Sequence, residues 1–180
     1  WGFDFAMYRP LMVLAVNSGL PILALNISRE LRDKIKRRGI DGLGAKDRAK
    51  VPELDLEDVE HQAWFEDIMA SMGGHHGSAH GGGDMSPEDK AKLDRRIYRA
   101  QVLWDETMAD TAARWVKGAA NRQLIIIAGG GHCHDSAIIR RVRRRGVKSV
   151  ISVRPVMEDN VPGELASPIN DFLFVLIPPS

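Results

Sequence analysis

The side chains best able to do chemistry concentrate at residues 129–134, Gly-Gly-Gly-His-Cys-His. Consecutive glycines let a ligand approach the backbone closely. Two imidazoles two positions apart offer metal-binding nitrogens or proton carriers. No Gly-Lys-Ser/Thr follows, so the loop is not a P-loop. Position 134 is His where a dinucleotide-binding fingerprint needs Gly, so it is not that motif either. What remains is a Gly-x-x-His pattern from Gly129 to His132, with His134 beyond it, and His132 is expected to be functional. Cys133 reads as small-residue packing rather than as a third ligand of a soft metal site.

A second set lies upstream. At 100° per residue, Asp94, Tyr98, Gln101 and Asp105 fall within roughly 60° of one another on a helix. That polar line abuts an apolar arc of Leu93, Ile97, Ala100, Trp104, Met108 and Trp115. Groups at the edge of a core need partners, so the line is either the wall of a pocket or a satisfied structural network. Asp105 and Glu106 are adjacent and point about 100° apart, so they cannot act as a facing carboxylate pair. No Gly-x-Ser-x-Gly elbow supports nucleophilic catalysis. His75, His76 and His80 have imidazoles that suit zinc or nickel. They sit in a glycine-rich tract with nothing to hold them, so a solvated tract is expected. His61 stands alone on a helix and reads as a surface residue.

The elements that must position these groups follow from periodicity. Residues 4–18 read as a helix with Pro10 in its first turns. Residues 21–26, Pro-Ile-Leu-Ala-Leu-Asn, form a short apolar run fit for a buried parallel strand. Ser28 caps a helix closed by Gly39. Helical spacing returns from about 56 to 72, and the Gly/His-rich loop 73–83 follows. Ser86-Pro87 starts a long helix to Val116. Leu124–Ala128 is the clearest strand and runs into the glycine loop. A helix to Arg145, a strand at 148–153 and a last strand at 172–177 complete the chain. Strands joined by helices predict an α/β fold with a mainly parallel sheet and flanking helices. Residues 1–50 form its first part and residues 101–180 the rest of a single domain, with a small helical sub-domain inserted at 51–100. The basic run 140–145 reads as cations at a helix C-terminus, with a phosphate or propionate patch as the alternative.

Composition restricts the partners. At 44% apolar and 27% charged the chain has an ordinary globular make-up. A net charge of +1 gives no field toward nucleic acid, so no nucleic acid is expected as a partner. One cysteine excludes an internal disulfide. No run approaches the ~20 apolar residues of a membrane span, and no signal peptide is visible. The opening Trp1-Gly2-Phe3-Asp4-Phe5 reads as mid-domain sequence, so the N-terminal part of the domain is expected to be missing. Membrane attachment is expected only through an N-terminal anchor outside these residues.

Two segments carry a family resemblance. Ala100-Gln101-Val102-Leu103-Trp104-Asp105-Glu106-Thr107-Met108-Ala109 resembles the hallmark AQ-x-LWDE-x-MA helix of the ChaN haem-binding family. Ile125–His132 resembles its second hallmark, an apolar strand ending in a glycine loop and His. Tyr8-Arg9-Pro10-Leu11 and Leu20–Asn26 are similar to its stretch leading into the middle strand. The family lies within the Tiki/erythromycin-esterase-like group. The resemblance implies a non-catalytic haem carrier in haem and iron uptake, often a lipoprotein, periplasmic or outer-membrane-associated in a bacterium. It implies a homodimer enclosing two haems face to face, with iron held through tyrosine and propionates held by His and Lys of the other chain. Phenolate is a hard ligand that stabilises ferric haem. Tyr98 is expected to be that ligand and Tyr8 the alternative, with Gln101, Asp105, His132 and His61 also at the haem. His61, Lys90 and Lys92 are candidates for the propionates. The family's acidic Gly-Glu-x-His-like motif has no counterpart here, and the tract at 75–80 looks like an insertion that adds metal affinity or a second haem contact. Two rival functions stand beside this one. One is a Tiki-like hydrolase in which His132, His134 and Asp105 hold a divalent metal and its water. The other is a plain interaction domain.

Overall fold

A computed structural model describes residues 4–76 and 86–177. Side-chain caps begin the helices at the expected places. Ser28 Oγ accepts from Leu31 N at 3.2 Å and starts α2 (Arg29–Arg38), which Gly39 closes at φ 70°. Ser86 Oγ accepts from Asp89 N at 3.1 Å, with Pro87 in the first turn, and starts α5 (Pro87–Lys117). The expected helix at 4–18 divides into a 3-10 turn at Phe5–Met7 and α1 (Arg9–Asn17), because Pro10 has no N–H to continue an earlier turn. The short α3 (Ala45–Arg48) was not foreseen. The next helix, α4 (Val59–His76), runs past the expected stop at 72. The backbone of Gly73 to His76 is therefore helical, while the rest of the loop expected at 73–83, with His80, lies outside the described residues.

Beyond α5, residues Gly130–His132 make a 3-10 turn and α6 spans Ile138–Arg144. Then come β1 (Val153–Met157), α7 (Val161–Ala166) and β2 (Phe172–Leu176). The two strands pair in parallel from Val153↔Phe172 to Met157↔Leu176. This ladder is smaller than the mainly parallel sheet expected from sequence. Among the described residues the runs at 21–26 and 124–128 join no ladder, and the strand expected at 148–153 starts at its last residue. A ladder requires a neighbouring backbone, and β2 offers one only from 153 onward.

The unpaired runs nonetheless lie as sheet strands would. Leu124, Ile126 and Ala128 turn toward a core of Met108, Ala109, Ala112, Ile138 and Val142, and Leu25 joins them. Ile125 and Ile127 face away, 88% and 49% exposed. The period-2 alternation is present, but only one side of the run is covered. A second core gathers Leu31, Ile40, Val51 and Leu103, with Ile27, Ile35, Leu43 and Leu54 packed on it. Both cores lean on α5, which runs unbroken for roughly 46 Å across the expected boundary at residue 100. No helix among the described residues is long and apolar enough to cross a membrane.

The basic run closes α6, with Arg141, Arg143 and Arg144 in its last turn, and several of its cations also reach carboxylates. Glu106, fully buried on α5, receives Arg144 Nη2 at 2.6 Å, Arg145 Nη2 at 2.7 Å and Arg141 Nε at 3.2 Å. Asp55 N adds a backbone bond at 3.1 Å. Arg140 leaves α6 on another side, for Asp58 and Glu60 of the α4 N-terminus. The cations lock α6 and the segment before α4 onto α5. Glu106→Gln would leave the buried Arg141 guanidinium without its counter-charge, a change worth about 3–5 kcal/mol. A urea titration is expected to show that loss, and a midpoint shift corresponding to under ~1 kcal/mol would mean that the cluster does not hold the fold.

Candidate functional site

One turn of α5 aims Gln101 and Asp105 at the same point, since residues four apart share a helix face. Gln101 is 6% exposed and Asp105 is fully buried. Tyr98, one turn earlier on the same line, is half-buried. Asp94 begins the line but stays in solvent, 3.8 Å from Lys90 Nζ. A buried carboxylate must be paired or neutralised. Asp105 is paired from both sides by imidazoles that arrive from different parts of the chain.

His61 comes from α4. Asp58 caps that helix, its Oδ1 accepting from His61 N at 3.0 Å, so the cap sets the position of the ring. The sequence reading placed His61 on the surface. It is instead fully buried, because the capped turn points it inward at α5. Its Nε2 lies 3.1 Å from Asp105 Oδ2, off the line of an ideal hydrogen bond. Its Nδ1 faces Tyr98 Oη at 3.2 Å and Arg141 Nη2 at 3.4 Å. Arg141 can only donate. Nδ1 is therefore the acceptor, and the ring proton sits on Nε2, toward Asp105.

His132 comes from the glycine loop. Its Nδ1 is 2.6 Å from Asp105 Oδ1, a short charge-assisted bond in which the ring N–H donates. Gln101 Nε2 donates to Gly131 O at 2.5 Å and to Asp105 Oδ2 at 3.3 Å, pinning the loop to the helix. The edge of the ring meets Trp104, with centroids 6.3 Å apart. His134 goes elsewhere. Its Nδ1 accepts from Ser136 N at 2.9 Å, and its ring stacks on Trp64 at 5.0 Å. Beside it an open cavity of about 490 Å³ is lined by Glu60, Asp135, Arg140, Arg143, Ile169 and Asn170.

Electrostatics separate the members of the cluster. Burial pushes the Asp105 carboxyl up, but the bonds from His132 and His61 outweigh it and hold the group below its ordinary range. Tyr98 is pushed up to about 12, first by burial and then by nearby carboxylates, against the pull of Arg141. Its hydroxyl also lies 3.4 Å from the Asp58 carbonyl, and its ring packs against Phe65 at 5.7 Å. Burial lowers His134 and raises Cys133. Cys133 Sγ lies 3.5 Å from Gly129 O.

Five of the expected residues thus meet: Tyr98, His61, Gln101, Asp105 and His132. Tyr8 is the N-cap residue of α1, a helix with no buried residue. Lys90 and Lys92 are exposed on the first turns of α5 and pair with Asp94, Glu88 and Asp89. Of the trio His132, His134 and Asp105, His132 bonds to Asp105, while the Nδ1 of His134 accepts from Ser136. Among the described residues no three His, Cys, Asp or Glu groups are placed to hold a metal ion. Asp58 and Arg141 escaped the sequence reading. A capping signal for Asp58 was present three residues before His61. Nothing local marked Arg141 among its basic neighbours.

The pattern of this site can be set against known proteins. A family model described as haem-binding uptake, Tiki superfamily, ChaN matches residues 1–143. No curated protein and no solved structure matches the chain.

A carboxylate held below its ordinary range adds stability that is full above its unfolded value near 3.8 and fades as pH falls through the folded value. Asp105→Asn is expected to cost about 1–3 kcal/mol at pH 7 and to flatten the loss of stability below about pH 4. Urea midpoints at pH 7 and pH 3 measure both. An acid loss as steep as that of the natural chain would assign it to other carboxylates.

Proposed function

Since the chain belongs to the haem-binding uptake family ChaN of the Tiki superfamily, we propose that it binds haem at the Asp105 cluster, as a carrier rather than a catalyst. The glycine loop that carries His132 is the observation that supports this most. Gly129, Gly130 and Gly131 have negative φ, and a Cβ on any of them would meet no atom within 4 Å. Neither backbone conformation nor packing within the chain requires glycine three times there. An outside body approaching the loop backbone would.

The donor set suits the group. Haem iron takes axial ligands from His, Tyr, Cys or Met side chains, and this site offers a phenol at one end and an imidazole at the other. Aromatic rings accompany them. Phe65, Tyr98, His61, Trp64 and His134 succeed one another with centroids 5.0 to 5.7 Å apart, a largely buried aromatic cluster beside the Asp105 groups. Bound haem would supply an iron able to take a side-chain ligand from the chain. The resemblance assigns iron to a tyrosine, and Tyr98 is the one within this cluster. Lys90 and Lys92 suit the propionates, since their exposed pairs along one helix are weak and readily exchanged. The resemblance also supports a homodimer that encloses two haems, working in haem and iron uptake at the bacterial envelope.

Hemin added to the whole protein is expected to give a saturable Soret band at one haem per chain. In Tyr98→Phe/His132→Ala the affinity should fall tenfold or more. A natural chain whose absorbance never saturates, or a double variant that binds as tightly, would remove haem from this site.

A further inference from the structure

We propose that the open cavity beside His134 binds a small organic carboxylate, held by His134 Nε2–H and the Arg143 guanidinium. Pro168 and Ile169 give this cavity of about 490 Å³ an apolar wall beside those polar groups. A few convergent polar groups on an apolar lining are what small ligands occupy. No hydrogen bond to Asp105 comes from the groups that hold the carboxylate, so it binds with or without haem.

The walls are tied together. Asp135 N donates to Ile169 O at 3.0 Å, and Asn170 Nδ2 donates to Cys133 O. The segment 168–170 is thereby fastened to the loop that carries His134. His134 is only 7% exposed, and Trp64 packs against its ring at 5.0 Å. Its Nδ1 accepts from Ser136 N at 2.9 Å. A backbone N–H can only donate, so the ring proton sits on Nε2. Burial lowers the pKa of this imidazole, so the ring is neutral near pH 7 and keeps that tautomer. Among the described residues nothing bonds to Nε2, on the edge of the ring left to line the cavity. A buried donor without a partner calls for an acceptor.

Two arginines line the same cavity, and they differ. Arg140 is fully engaged: its Nη1 meets both oxygens of Asp58 at 3.0 Å and its Nη2 meets Glu60. Arg143 donates through Nη2 alone, to Val150 O at 3.0 Å, with Asp171 at 3.6 Å. Its Nε and Nη1 are left to donate, and a guanidinium fork matches both oxygens of one carboxylate. Glu60 and Asp135 also lie on the wall, and their charges oppose a dianion such as phosphate. A single negative charge on a short apolar stem fits these groups.

NMR of the labelled histidine side chains in the whole protein reads the site directly. At constant ionic strength butyrate should shift the His134 ring signals saturably, and acetate should bind more weakly. Arg143→Ala should weaken butyrate about tenfold or more. That side chain is 42% exposed and makes one long ion pair, so its loss leaves the fold intact. Arg114→Ala, outside the cavity, should leave the affinity unchanged. A shift that never saturates, that chloride reproduces, or that keeps its full affinity in Arg143→Ala would overturn the site. Phosphate binding as tightly as butyrate would overturn the ligand class. Displacement of butyrate by hemin would assign the cavity to haem and overturn a separate carboxylate site.

Discussion

Burying Asp105 constrains everything around it. An ionised carboxylate inside a protein costs several kcal/mol unless its oxygens are met by donors of good geometry. His132 from the glycine loop and Gln101 from one turn earlier on α5 donate to this one, and His61 from α4 faces it at 3.1 Å off the line of an ideal bond. Two of these come from chain segments far from residue 105, so the carboxylate is where α4, α5 and the loop are held in fixed relation. Its role at the site and its role in the fold are the same set of hydrogen bonds.

Glu106 completes this arrangement from the other side of the helix. The two acidic residues are neighbours in sequence and diverge by about a quarter turn, so one faces the imidazoles and the other the arginines. Arg141 joins the two clusters. Its Nε lies 3.2 Å from Glu106 and its Nη2 3.4 Å from His61 Nδ1. Through this one side chain, only 2% exposed, the structural ion pairs select the tautomer of a histidine in the site. The hallmark Trp-Asp-Glu is thus three neighbours with three tasks: Trp104 braces His132, Asp105 gathers the rings and Glu106 anchors α6.

How far the sequence is readable here depends on the range of the forces involved. Capped helices are local, and α2 and α5 lie where Ser28 and Ser86 start them. The line from Tyr98 to Asp105 is likewise local, since 100° steps place it without knowledge of the fold. His61 shows the limit. Nothing near it in sequence says that Asp105, 44 positions away, needs a second donor. The arginines of α6 show the same limit, because a run of cations at a helix end looks alike whether it faces water or a buried carboxylate. The runs at 21–26 and 124–128 have the composition and alternation of strands, yet pairing depends on a neighbouring backbone that no residue within the run can announce.

The geometry of α5 has a consequence for how this stretch can change over evolutionary time. Tyr98, Gln101, Asp105 and Glu106 each act through their angular position on one rod. Substitutions on the outer face of α5 disturb none of them. Adding or deleting a single residue between 98 and 106 would swing every group beyond it by about 100°, taking Asp105 away from both rings and Glu106 away from its cations together. Length, more than residue identity, is what this helix cannot trade.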